Sequence, residues 1–235
     1  MVVLCGENLN KTGRGNDFKF TYKPNELLVR TENKYQQQVQ ESIRQNTVYE
    51  GIKGPTYLSN WLPLPTSTII DYMHASLLGL TKQIFNIWLS TENRKEEFYL
   101  KLKLHEIDEI LLQTKYPIEF SRQQRSISEN FKFFKASQYR NLLFYASLHI
   151  LKMFLPATHY KHFVQFIIFM RLLCDKDCQN HDTVLAFKII VEFIKEFEQL
   201  YGQKNMKFNL HPHLHLPQQV QRLRFFKILS YYLFY

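Results

Sequence analysis

From Tyr72 onward, apolar residues recur at intervals of three and four, which is the period of an amphipathic helix. Leu77, Leu80, Ile84 and Trp88 follow this spacing, so we predict a helix that begins near Tyr72. Similar patterns or helix-boundary residues predict further helices at Glu96–Leu112, Ala136–Phe154, Pro156–Leu173, Thr183–Tyr201 and Gln218–Tyr235. Gly202 fits the C-cap of the helix that ends at Tyr201.

The first 65 residues have a different character. Six of the seven glycines occur in the first 79 residues, and four of the eight prolines occur in the first 65. We therefore expect a loop-rich region with short strands at Phe18–Tyr22 and Leu27–Arg30. The β-branched run Thr66–Ile70, which follows a proline, is a further strand candidate.

Composition narrows the class of protein. The 235 residues are 45% hydrophobic and 22% charged, which is typical of one large or two small globular domains. We expect no membrane span, because no apolar run approaches about 20 residues. The first residues do not resemble a signal peptide, and the three cysteines favour a reducing compartment. Secreted, collagenous and transmembrane classes are therefore not expected.

The charge balance favours a polyanionic partner. Lysine and arginine number 30 against 21 acidic residues, for a net charge of +9. Binding to phosphates by such residues is favourable because it releases counterions. The candidate DNA contacts lie in a basic stretch between residues 115 and 140: Arg122, Arg125, Lys132, Lys135 and Arg140.

Aromatic rings alternate with these bases in Phe131–Lys135 and again at Tyr139. Proteins that bind single-stranded nucleic acid stack bases on such rings. The alternative is that the rings are buried in the core of a helical domain. We favour burial, because apolar helices flank the segment on both sides.

Asp71 and His74 are the first candidate site for chemistry. They lie at the predicted start of a helix, three residues apart, so both side chains can share one turn. Two interpretations are open: a pair of metal ligands, or a carboxylate that caps the helix beside a surface histidine.

Two further groups have metal-ligand character. His211 and His215 are four residues apart, with His213 between them, and could supply two of the three or four ligands that zinc needs. Cys174, Cys178 and His181 imitate a zinc cluster in a loop between helices. The alternatives are a polar segment beside a core helix for the histidines and unpaired thiols for the cysteines.

Several of these residues occur in an order that resembles the CACTA (En/Spm-type) DDE transposases and their domesticated relatives. Asp71–His74, with Gly54-Pro55 before it and Gly79 after it, is similar to the family's "KGPS…DYMH…LLG" stretch. Lys135–Arg140 resembles its "WKASEFR" segment, with Phe134 where tryptophan is usual. The resemblance extends over roughly residues 5 to 216 and includes these further positions: Arg30, Thr31, Leu151, Lys152, Pro156, Tyr160, His162, Phe163, Phe193, Glu198–Gly202, Met206, Asn209, His211 and His215.

The resemblance implies a mainly α fold, in which a helical insertion domain is attached to a fragment of an RNase H-like α/β core. Residues 1–74 would be the loop-rich core remnant, residues 75–205 the insertion, and residues 206–235 a histidine segment with a C-terminal helix. Asp71 would match a metal-binding carboxylate, with His74 beside it. His211 and His215 would match half of a zinc site, with Cys5 as the surviving member of an upstream cysteine pair.

The family's reaction is DNA cleavage and strand transfer by two Mg²⁺ or Mn²⁺ ions, which several carboxylates hold. We expect this chain to lack the family's first aspartate and its final glutamate, since no acid follows Glu198. It would then be a truncated transposase-derived protein without activity of its own. A nuclear location, DNA and a full-length transposase or other protein as partners are the implied setting. The alternatives are a non-catalytic helical module that binds DNA or protein and a structural domain stabilised by zinc.

Overall fold

A computed structural model describes residues 30–116, 120 and 122–223, together with the backbone of residues 10–11 and 18–19. The chain divides into two compact units, Met1–Ile70 and Asp71–Tyr235. The described part is mainly helical, as the sequence predicts. None of its helices combines the length and the apolar character that crossing a bilayer requires.

The described part of the first unit contains a short strand pair, one α-helix and the 3-10 helix Tyr57–Asn60. Strand β1 (Asn10–Lys11) pairs antiparallel with β2 (Phe18–Lys19), where the first strand was predicted. The rest of that prediction, and the predicted strand 27–30 apart from Arg30, lie outside the described residues. Helix α1 spans Glu32–Gln45 and is capped by Thr31, whose Oγ1 accepts the N–H of Lys34 at 3.2 Å.

The described core of the first unit is small. It consists of Tyr35, Val39, Ile52 and Leu64. Trp61, by contrast, is 84% exposed. Arg30 is buried and donates from Nη2 to the carbonyl oxygen of Glu50 at 2.8 Å, which ties the start of α1 to the following loop.

The prediction of a strand at Thr66–Ile70 is wrong. Thr66 and Ser67 belong to a turn, and residues 68–70 have no regular secondary structure. The N–H of Ser67 donates to the carbonyl of Pro63 at 3.0 Å, and the N–H of Thr68 donates to that of Pro65 at 2.8 Å. Because these backbone groups are satisfied locally, they make no strand ladder.

The described part of the second unit is built mainly from helices. Two π-type segments, Met73–Thr81 and Leu142–Ala146, continue directly into neighbouring α-helices. The α-helices are α2 (Lys82–Leu89), α3 (Leu104–Gln113), α4 (Ile127–Asn130), α5 (Ala136–Asn141), α6 (Ser147–Phe154), α7 (Ala157–Cys174), α8 (Asn180–Tyr201) and α9 (Leu216–Leu223).

Most helix predictions in this unit are confirmed, and one is wrong in its start. The helix predicted from Glu96 begins only at Leu104. Phe98, Tyr99 and Leu100 are buried in succession, and the N–H of Leu100 donates to the carbonyl of Trp88 at 2.9 Å. Three consecutive buried residues do not fit one face of a helix, so this segment crosses the core as irregular chain. The helix predicted from Gln218 starts at Leu216, and residues beyond 223 lie outside the described part.

Aromatic packing between helices forms the core of the second unit. The sequence predicts an apolar stripe on α8 at Ala186, Ile190, Phe193, Phe197 and Leu200. The first four are buried, and Leu200 is half-buried. Trp88 is 0% exposed and donates from Nε1 to the hydroxyl of Tyr201 at 3.2 Å. This bond joins α2 to the end of α8, and it satisfies the polar atom of a fully buried indole.

Candidate functional site

Asp71 begins the helical part of the second unit. Its Oδ1 accepts the backbone N–H of Met73 at 2.8 Å and that of His74 at 3.3 Å, while its carbonyl accepts the N–H of Ala75 at 2.8 Å. These bonds satisfy N–H groups that have no partner within the first turn. The interpretation of Asp71 as a helix cap is therefore confirmed.

The other carboxylate oxygen of Asp71 pairs with His74, whose Nδ1 lies 2.5 Å from Oδ2. Partial burial raises the pKa of Asp71, but hydrogen bonds from the side chain and backbone of His74 outweigh this effect and lower it overall. Both side chains are exposed, so they are accessible to solvent. The pair is a single carboxylate with an imidazole, and its role in metal binding stays a prediction.

The histidine segment forms a 3-10 helix, Phe208–Leu214, whose imidazoles are buried. His213 donates from Nδ1 to the carbonyl of Asn209 at 2.9 Å, so its Nε2 accepts from the hydroxyl of Ser76, also at 2.9 Å. Burial lowers the pKa of His213 to about 4. His213 thus joins this segment to the first π-type segment as a neutral, hydrogen-bonded core residue.

His211 and His215 face each other through their Nε2 atoms, which are 3.1 Å apart. Burial lowers the pKa of both imidazoles. The pKa of His215 falls to about 4, and that of His211 falls to about 3 because the neighbouring His215 adds to the effect of burial. Two nitrogens bound to one tetrahedral zinc at 2.0–2.1 Å lie about 3.3 Å apart. The pair therefore fits two positions of a zinc site as well as a direct N–H···N bond.

Further ligands for that site do not come from the described residues. Among them, no three histidine, cysteine, aspartate or glutamate side chains form a group that could hold a metal ion. Cys5, the predicted third ligand, lies outside the described residues. Asp71 likewise has no group of further histidine, cysteine or acidic side chains around it among the described residues.

Cys174, Cys178 and His181 lie at and after the end of α7. Cys174 is buried, and burial raises the pKa of its thiol to about 12. Cys178 is half-buried, and exposed His181 lies 3.3 Å from Asp182. The three side chains therefore differ in exposure, and the structure does not bring them together as a metal cluster.

The predicted DNA contacts lie on a loop and the short helices that follow it. Arg122, Arg125, Lys132 and Lys135 are exposed. The Nη2 of Arg125 donates to the carbonyl of Phe133 at 3.1 Å and to Oε1 of Gln138 at 3.2 Å. These bonds hold the guanidinium group beside the segment that carries both lysines.

Buried Asp108 of α3 holds the start of α4, which lies in the same region. Its carboxylate accepts the backbone N–H of Ile127 at 2.6 Å and that of Ser128 at 3.0 Å, which anchors α4. Exposed Glu129 on this helix is the acidic group nearest in the chain to these bases within the described residues. Arg140 differs from the other bases: it is half-buried, and its guanidinium carbon lies 5.3 Å from the centre of the Phe120 ring.

The aromatic rings of this region are mostly buried, as we favoured. Phe131, Phe134 and Tyr139 pack against one another with ring centres 5.5 to 5.7 Å apart. Phe133 is the exception, since its side chain is 68% exposed. The sequence alone does not distinguish this ring from its neighbours, because the 3-10 turn Phe131–Phe133 sets which rings point inward. We call Arg122, Arg125, Lys132, Phe133 and Lys135 the basic surface.

Comparisons with protein-family models, with curated proteins and with solved structures find no match to this chain.

Proposed function

We propose that this chain is a transposase-derived protein whose helical second unit binds DNA through the basic surface. The observation that carries the proposal is the exposed ring of Phe133, which lies between Lys132 and Lys135 in the sequence. The guanidinium of Arg125 donates to the carbonyl oxygen of the same residue. A base that stacks on an exposed ring contributes about 1–3 kcal/mol, and adjacent cations bind the flanking phosphates. This arrangement favours single-stranded or locally opened DNA.

The family assignment rests on the sequence resemblance around Asp71, Lys135 and the histidine segment. The mainly helical second unit is compatible with the insertion domain of such a transposase. The same proposal includes an RNase H-like core, a nuclear location, a zinc ion at His211 and His215, and a full-length transposase as partner. Each requires its own test.

We expect no DNA cleavage by the isolated protein. Two-metal catalysis needs carboxylates that hold both ions, whereas the Asp71 carboxylate caps a helix and pairs with His74. Supercoiled plasmid incubated with Mg²⁺ or Mn²⁺ should remain uncut. Cutting that depends on the metal and disappears in Asp71→Asn, which retains a capping oxygen, would overturn this part of the proposal.

DNA binding is tested by fluorescence anisotropy with a single-stranded oligonucleotide over a range of salt concentrations. Phe133→Leu should weaken binding about tenfold, since it removes the ring but keeps an apolar side chain. Lys132→Gln with Lys135→Gln should reduce the slope of log affinity against log salt by about 1.4, at about 0.7 per phosphate contact.

Matched controls come from exposed residues of α6 and α8. Phe187→Leu alters a partly exposed ring, and Lys152→Gln with Lys188→Gln makes the same change in charge. We expect both controls to bind as the parent protein does. Equal losses in controls and test variants, or binding that is insensitive to salt, would contradict the basic surface as the DNA site.

A further inference from the structure

A cleft of about 430 Å³ lies between α2, the 3-10 turns Thr91–Asn93 and Gln203–Asn205, and the start of the histidine segment. It is separate from the basic surface, which is carried by residues 122–135. Three lysines line it: Lys82, Lys204 and Lys207. The volume is within the range of small-molecule sites, about 300–1,000 Å³.

The floor of the cleft is fixed by side-chain amides. Gln83 is 8% exposed; it donates from Nε2 to the carbonyl of Asn205 at 2.7 Å and accepts at Oε1 from Nδ2 of Asn209 at 3.3 Å. Asn205 in turn donates to the carbonyl of Tyr201 at 2.7 Å. Residues from distant parts of the chain are thereby held in one arrangement before any ligand arrives.

The lining is electropositive. Three lysines and one acidic residue, Glu92, line the cleft, and Oε2 of Glu92 lies 3.9 Å from Nζ of Lys204. The carboxamide oxygen of buried Asn93 lies 3.5 Å from the same Nζ, and its Nδ2 donates to the carbonyl of Ile87 at 2.9 Å. Asn93 therefore helps orient Lys204, and the lining residues together contain three lysines and one carboxylate.

We propose that this cleft binds the phosphate groups of a phosphorylated ligand. A phosphate monoester carries about two negative charges and a diphosphate carries more, so either complements a lining that contains three lysines and one glutamate. Its oxygens accept hydrogen bonds from several ammonium and amide N–H groups at once. The phosphates can belong to a free mononucleotide-like molecule or to the backbone of a nucleic acid, and both sources present the same chemistry to the lysines.

Isothermal titration calorimetry with pyrophosphate and with adenosine diphosphate tests the first source. The full chain should bind at least one of these probes at millimolar concentration or below. Lys82→Gln with Lys204→Gln and Lys207→Gln should weaken binding at least about tenfold, because charge-assisted hydrogen bonds are lost. Lys152→Gln, Lys161→Gln and Lys188→Gln together are the charge-matched control and should leave binding unchanged.

A second variant acts in the opposite direction. Glu92→Gln removes the opposing charge from an exposed position, so it should tighten pyrophosphate binding by roughly two- to threefold. This increase cannot arise from a folding defect, which would weaken binding. The proposal therefore remains testable even if the triple lysine variant folds poorly.

Anisotropy with a duplex oligonucleotide tests the second source. If backbone phosphates occupy the cleft, the triple variant should lower the salt slope by about 2.7, at about 0.9 per contact. The variants of the basic surface provide an independent comparison, because loss of DNA binding at one site does not require loss at the other. Absence of probe binding together with an unchanged duplex slope would overturn the proposal, as would weakening by Glu92→Gln.

Discussion

At the scale of single residues, Asp71 combines two hydrogen-bonding roles in one carboxylate. One oxygen caps the helix, and the other accepts from the His74 imidazole. The sequence indicates both a cap and an Asp–His pair, because both depend only on residues within one turn. The buried Nε2···Nε2 contact of His211 and His215 follows from the same local spacing. The partner of His213, in contrast, is Ser76, 137 positions away, and no local pattern reveals it.

Replacement of Asp71 separates its capping role from its charge. We expect Asp71→Ala to lower the free energy of unfolding by about 1 kcal/mol, as loss of a cap does, and Asp71→Asn to lower it by much less. The pKa of Asp71 is lowered in the folded protein, so its negative charge stabilises the fold at pH values above the pKa of the unfolded chain. This stabilisation is lost as the pH falls through the pKa of the folded protein. Urea unfolding at neutral pH measures the first effect. Equal losses in both variants would show that charge, and not the cap, matters.

His162 should make the stability depend on pH. Its ring is stacked on Phe193 with centres 4.1 Å apart, and burial lowers its pKa to about 4. The unfolded chain, in which the pKa is about 6.5, therefore takes up a proton first as pH falls, and stability decreases between about pH 6.5 and 4.

The measurement is the free energy of unfolding in urea at several pH values. In His162→Gln, the slope within that window should be smaller than in the parent by up to about 1.4 kcal/mol per pH unit, which corresponds to one proton. Comparison of slopes makes the test independent of any constant loss of stability. An unchanged slope would mean that His162 does not titrate below its unfolded pKa.

At the scale of elements, periodicity predicts most of the helices because each buries one face against the core. It does not predict the irregular run Phe98–Leu100, where burial has no period, or the turn at Thr66 and Ser67, where backbone N–H groups bond to nearby carbonyls. Periodicity also does not predict the exposed ring of Phe133 or the lysine cleft. The first depends on a 3-10 turn, and the second joins Lys82 to Lys204 and Lys207 across more than a hundred positions.

Gly79 offers a test of the first π-type segment. A Cβ at this position would lie 2.7 Å from the carbonyl oxygen of His74 and 3.5 Å from Cγ of Asn209. In an ordinary helix, glycine to alanine is stabilising by about 0.4–1 kcal/mol. We expect Gly79→Ala to be destabilising instead, by about 1–3 kcal/mol, because backbone must move. Thermal or urea unfolding gives the sign, and a gain in stability would show that the segment relaxes to a regular α-helix.

At the scale of the whole molecule, the described parts of the two units differ in the size of their cores. The described core of the first unit comprises four residues, whereas α7 and α8 pack through many fully buried aromatic side chains. The sequence indicates this division, since glycine and proline are concentrated before residue 80 and helical periodicity follows. It also offers a polar segment beside a core helix as one interpretation of the histidine segment, but it does not indicate that His211, His213 and His215 are themselves buried.

Hydrogen exchange should resolve this difference in stability. Amides of α1 (Glu32–Gln45) should exchange substantially faster than those in the middle of α7 and α8, because the core described around α1 is small. Exchange followed by mass spectrometry after pepsin digestion reports each helix separately. Protection of α1 equal to that of α8 would show that the two units unfold together.

The placement of the two tryptophans has a spectroscopic consequence. Trp61 belongs to the first unit and is 84% exposed, while Trp88 belongs to the second and is 0% exposed. An indole in water emits at longer wavelength than one in an apolar core, and small quenchers in solution reach it readily. The tryptophan fluorescence of the unlabelled chain therefore has two components. Trp61 in the first unit emits at longer wavelength, and Trp88 in the core of the second unit emits at shorter wavelength.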